Sequence, residues 1–169
     1  MEHGFTRFRL EQVAARAGVG KSTLYRRWPS KEALAQELLA ELAAPHIAVE
    51  DVGDTRAELR LCVAHALHAL RDTPFGQVIR TLLSQIAVNR AIGDPFRATV
   101  VEARRGEIGK VMARGVARGD LRPDADPTIA TELLVGPVYF RLIFGGDMSD
   151  AFANRIADTV FEAYAVQRG

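Results

Sequence analysis

The stretch that decides the fold is AARAGVGKSTLYRRWPSKEAL, residues Ala14 to Leu34. It opens on the end of a short amphipathic helix, with Leu10, Val13, Ala14 and Ala17 recurring at helical spacing. Gly18-Val19-Gly20 stops that helix, since Gly18 can take the left-handed conformation that ends one. Val19 is apolar and is expected to plug the gap between two helices. A second short helix runs from Lys21 to about Trp28 and meets Pro29. Ser30 then has the character of an N-cap, and Glu32 suits the first turn of a longer helix. Two short helices across a tight glycine-bearing turn form the unit that enters the major groove of DNA.

At 100° per residue, Leu24 and Trp28 face the side of Val19, toward a core. Ser22 and Arg26 point almost directly away, and Thr23 and Tyr25 lie about 100° to either side. That outward face is short, hydrogen-bonding and cationic, which suits phosphates and base edges. Lys31 stands beside the Ser30 cap at the positive end of a helix dipole. An anion bound there would relieve the conflict.

Charge supports the same reading. The net charge of +1 conceals a basic head: residues 1–31 hold seven basic residues against Glu2 and Glu11, while residues 32–169 are net acidic by four. A basic head on a mildly acidic body is expected to meet an anionic partner. The glycine turn, Thr23-Leu24-Tyr25, Trp28 and the Ser30-Lys31-Glu32 start closely resemble the DNA-binding segment of TetR-type transcriptional repressors. The resemblance implies phosphate contacts from Thr23, Tyr25 and Lys31, and base or backbone contacts from Lys21, Ser22 and Arg26. It also implies a complete helix ahead of the turn unit, where only Met1–Phe5 stands. The natural protein is therefore expected to extend upstream by about 10–14 residues.

Beyond the head the periodicity stays helical, and the chain is read as all-α. Pro45 and residues 51–54 form a linker, and Asp54 caps a helix to about Asp72. Pro74 opens another to about Ala91, and Gly93-Asp94-Pro95 separates it from a helix running to about Arg118. The loop Gly119–Pro123 leads to two apolar helices, roughly 127–144 and 149–167. The expected division is a helix-turn-helix head with its connecting helix over residues 1–43 and a helical effector-binding and dimerisation body over 44–169. The loop at Gly119–Asp124 and the Gly136–Arg141 segment resemble the body of the same family.

The 169 residues, 48% hydrophobic and 25% charged, have an ordinary globular composition, and disordered or fibrous classes drop out. The longest apolar run, Leu133–Phe140, is far shorter than a membrane span needs. A lone cysteine and the lack of a signal-like start point to a cytoplasmic protein. No phosphate loop, nucleophile elbow or zinc-protease motif is present, so neither catalysis nor a cofactor is expected. The competing class is a helical metal-binding protein or enzyme using Cys62, His65 and His68, soft and imidazole ligands on one helix. Against it, Cys62 and His68 project about 120° apart.

In the body, Phe75, Leu82, Ile86, Phe96, Val100 and Met112 are candidate walls of a pocket, with Gln85, Asn89 and Tyr139 as its polar groups. Such a pocket favours an apolar or aromatic effector. Leu134, Val138, Arg141, Phe152, Ile156, Val160 and Tyr164 on the last two helices are the candidate homodimer surface, too apolar to be left in water. Pro137 is expected to bend its helix, and Arg141 needs an acidic or carbonyl partner. The expected protein is a transcriptional repressor that a small-molecule effector releases from a palindromic double-stranded DNA operator.

Overall fold

The computed structural model describes residues 9–167. The expectation about Met1–Phe5 and a preceding helix lies outside the described residues. Within them the architecture is all-α: α1 (Leu10–Ala17), α2 (Lys21–Arg27), α3 (Lys31–Ala43), α4 (Thr55–Asp72), α5 (Pro74–Val88), α6 (Arg90–Phe96), α7 (Glu102–Ala117), α8 (Pro127–Phe144) and α9 (Asp150–Tyr164). A 3-10 turn, Ala44–His46, follows α3, and a π-helical turn, Arg97–Val101, joins α6 to α7.

Capping residues set most boundaries. Asp54, Thr73, Asp126 and Ser149 each accept a backbone N–H in the first turn of the helix that follows. Pro74 and Pro127 occupy first-turn positions, where a missing N–H costs nothing. Helix α4 is the axis of the body. Its stripe of Leu59, Cys62, Val63, Ala66, Leu67 and Leu70 is buried, and α5, α7, α8 and α9 pack around it. Its N-terminus is tied to α7 by ions: Glu58, fully buried, receives Arg114 Nε at 2.8 Å and Arg118 Nη1 at 3.0 Å.

Two cores share one helix. The head packs Leu10, Ala14 and Leu24 with Val13, Trp28 and Leu34, whereas Ala35, Leu39 and Ala43 belong to the body core. Helix α3 thus carries a head residue, Leu34, beside residues of the body. It is a common beam and not a tether.

Three expectations about the backbone change. The break expected at Gly93-Asp94-Pro95 lies at Asn89, which ends α5 in an extended conformation and caps α6 by accepting the Ala91 N–H at 3.0 Å. Gly93 serves close packing instead, because a Cβ there would meet the Ile86 carbonyl at 2.4 Å. Pro95 sits inside α6 and leaves the Ala91 carbonyl without its helical donor. Gln36 Nε2 of α3 donates to that carbonyl at 2.6 Å. Helix α9 also ends earlier than expected, since Ala165 pairs with Leu121 in an isolated bridge. Val19 does not plug the head: it is 41% exposed, and Gly18 alone ends α1, at φ 67°.

Candidate nucleic-acid interface and effector cavity

Leu24 is the buried residue of α2 and fixes which way the helix faces. Lys21, Ser22, Thr23, Tyr25 and Arg26 are all exposed, as the 100° projection requires, and Lys31 is half-buried at the start of α3. Ser30 caps α3, its Oγ accepting the Ala33 N–H at 3.1 Å. The head therefore presents four of these side chains freely on one surface. Tyr25 differs, because its hydroxyl donates to Glu11 Oε1 of α1 at 2.8 Å. A phosphate contact from Tyr25 requires that bond to open. Its own backbone hydrogen bonding and then Tyr25 hold the Glu11 carboxyl below its usual range, and the same contact raises the Tyr25 phenol.

Arg26 and Arg27 are neighbours with different roles. Arg27 pairs with Glu37 of α3 and stacks over Trp28 at 5.0 Å. Trp28 Nε1 donates to the other oxygen of Glu37 at 2.9 Å. These contacts clamp the recognition helix to the beam, and the Trp28 and Arg27 hydrogen bonds keep the Glu37 carboxyl below its ordinary value. Arg26 has no such partner among the described residues. With Lys21, it is a cation of α2 that the fold leaves exposed and unpaired among the described residues.

In the body, the predicted pocket residues separate. Phe75, Leu82, Phe96 and Met112 are buried in the common core with Ile86 packed on it, and Asn89 is spent as the α6 cap. Gln85 is half-buried on α5. Val100 and Tyr139 do meet at a cavity of about 260 Å³, where Val101, Arg104, Arg105, Thr131, Glu132, Val135 and Gly136 join them. The cavity lies between α7 and α8 at the π-helical turn, a distortion often found at functional sites. Arg104 and Thr131 were legible only in part. Arg104 continues the inward stripe of Val100 and Ile108 at four-residue spacing, which is the signal that an arginine there would be buried.

On the last two helices the phase of α8 corrects the interface list. Leu134 and Val138 are fully buried within the subunit. They share the side of α8 that carries Ala130 and Leu142 into the core, so they are not surface. Phe152 and Val160 are also buried, with Ile156 and Tyr164 half-buried. What α8 leaves exposed is Ile129, Leu133, Phe140, Ile143 and Phe144. Leu133 and Pro137 form one wall of a groove against Phe152, Ile156 and Val160 of α9, and Arg141 crosses it. Arg141 finds the carbonyl partner it needs in Asp147 and lies over the Phe152 ring at 3.5 Å. By length and composition α8 alone among the described helices could cross a bilayer, yet it is packed against α4, α7 and α9.

The competing metal site does not assemble. Cys62 is in the core, its thiol pushed up to about 12 by burial, while His68 is exposed and bonded to Asp72 at 2.9 Å. Among the described residues no three ligating side chains converge.

Similarity to known proteins agrees with the head-on-body geometry. Residues 1–38 match the family model of bacterial regulatory proteins of the tetR family. Residues 49–160 match the tetracyclin repressor-like C-terminal domain. The DNA-binding transcriptional repressor TetR of Mycobacteroides abscessus is 29% identical over 161 residues, 93% of this chain and 83% of the relative. The HTH-type transcriptional regulator Rv1556 of Mycobacterium tuberculosis is 30% identical over 147 residues, covering 84% and 69%. The crystal structure of the TetR family transcription regulator SCO0332 superposes with a TM-score of 0.76 at 29% identity, covering 94% of this chain and 87% of that one. A helix-turn-helix head and a helical body, each matched by a family model, make this chain a member of the TetR family of DNA-binding transcriptional regulators.

Proposed function

We propose that the chain works in the cytoplasm as a homodimeric repressor that leaves a palindromic operator when a small effector enters the body. The observation that carries this is the exposed face of Lys21, Ser22, Thr23 and Arg26, with Arg26 unengaged while Arg27 is consumed by the clamp to α3. Two such faces related by a two-fold axis, about 34–36 Å apart, match successive major grooves. The exposed apolar side of α8, with the groove it forms against α9, supports a self-complementary contact between two copies. The proposed division is a head with its connecting helix through residue 43 and a body from residue 44.

Coupling runs through the beam. Helix α3 holds the head by the Arg27–Trp28–Glu37 clamp and holds α6 by the Gln36 bond to the Ala91 carbonyl. Helix α6 continues through the π-helical turn into the wall of the cavity. A ligand that prefers one arrangement of this turn shifts the spacing of the heads by its differential affinity for the two states. Binding of the full chain to labelled DNA from its own promoter region tests the reading. Affinity for a palindromic site above that for scrambled DNA is expected, and equal affinity for both refutes it.

A further inference from the structure

The cavity between α7 and α8 contains a charge that the fold does not neutralise. Arg104 is 6% exposed, and its hydrogen bonding among the described residues is a single 3.3 Å bond from Nη2 to the His46 carbonyl. No carboxylate pairs with it among the described residues, although Arg105 beside it is bound to Glu102 at 2.7 Å. The titratable groups that feel Arg104 are Tyr139, Cys62 and His46, and none of them is an anion near pH 7. Burial lowers the guanidinium below the ordinary arginine range, which marks the cost of holding it there. An arginine stays charged nonetheless, so a buried one calls for an anion.

The rest of the lining defines what accompanies the anion. Val100, Val101 and Val135 supply apolar wall, and Tyr139 has no hydrogen-bond partner of its own among the described residues. Glu132, the acidic side chain of the lining, is exposed at the rim. A volume of about 260 Å³ is just under the ~300 Å³ at which drug-sized pockets begin. We propose that this cavity binds a small organic carboxylate, its carboxylate held by Arg104 with the Tyr139 hydroxyl, and its apolar part against the three valines. A single negative charge matches the single unpaired cation, whereas a phosphate dianion would leave one charge uncompensated. The inference rests on the effector reading above and gives the apolar effector a charged end.

The test is thermal unfolding of the full chain with octanoate and 4-phenylbutyrate, each beside its primary amide, together with release of the wild type from operator DNA. The acids should raise the wild-type Tm by about 2–4 °C at several times their Kd, and the amides should not. Arg104→Met should unfold no lower than the wild type without ligand, since an apolar side chain of similar length replaces an unpaired charge, and should lose the acid response. Arg104→Lys should retain part of it. Absence of any acid-dependent shift in the wild type overturns the proposal. So does a Tm for Arg104→Met well below the wild type, or an equal response to acid and amide. Release of operator by amides would leave the effector reading standing and remove only the charge. Failure of the wild type to bind operator at all would instead remove the regulator reading.

Discussion

Glu11 and Glu37 show how single carboxylates shape the head. Glu11 takes the Tyr25 hydroxyl and places a negative charge beside the face proposed to meet phosphates. Glu11→Gln should therefore bind DNA several-fold more tightly at low salt, with the gain shrinking as salt rises. Fluorescence anisotropy measures this, and unchanged affinity would mean Tyr25 and Glu11 stand clear of the DNA. Glu37 gives a pH dependence whose sign follows from its lowered carboxyl. Its contribution is complete above the ordinary value of 4.5 and is lost as pH falls through the lower folded value. Trp28 is the one tryptophan, so its emission reports the clamp. Emission should shift with a midpoint below 4.5, ahead of helix loss by circular dichroism, and Glu37→Gln should abolish that separate step. Coincident transitions would contradict a local clamp. In the body, Glu58 is buried between Arg114 and Arg118. Glu58→Ala should cost about 3–5 kcal/mol in chemical denaturation, because Arg114 and Arg118 lose their buried partner and keep only the exposed carboxylate of Asp51. A loss below about 1 kcal/mol would show that the arginines relax into water.

At the scale of elements, the sequence discloses what is local. The Gly18 stop, the caps at Ser30 and Asp54, and the outward face of α2 follow from spacing and cap chemistry, and the structure agrees. What escaped reading depends on neighbours. Gly93 and Pro95 look like a turn, but Gly93 is needed where α5 passes close, and the carbonyl that Pro95 orphans is taken by Gln36 from a distant helix. Leu134 and Val138 are as apolar as Leu133 and Phe140, and only the packing of α8 separates core from surface. Arg104 shares the four-residue spacing of Val100 and Ile108, so its position points inward although its residue type points to the surface, and the packing sides with position. In the proposed coupling, the Gln36 bond links cavity to head at the scale of elements. Gln36→Ala should reduce the effector-dependent change in operator affinity, measured by titrating effector against the complex. If that change keeps its full size, the coupling bypasses α6.

For the whole molecule, two properties decide whether this architecture regulates DNA: assembly and reading. Phe140 and Phe144 are 61% and 72% exposed, their rings 4.8 Å apart on the free side of α8. Phe140→Glu should shift light-scattering mass from a dimer toward the 18.5 kDa monomer, since it puts an unpaired charge into the contact. A wild type that is already monomeric at every concentration would rule out the proposed two-fold operator geometry. In the proposed reading, base preference rests on Arg26. The most direct measurement is binding of the wild type, Arg26→Ala and Lys31→Ala to operator and scrambled DNA across a salt series. Arg26→Ala should lose about 1–3 kcal/mol on the operator and much less on scrambled DNA, relaxing preference at one base pair in each half-site. Lys31→Ala should weaken both alike and flatten the salt slope by about one unit per contact. If neither substitution changes affinity or its salt dependence, this face of the head does not bind DNA.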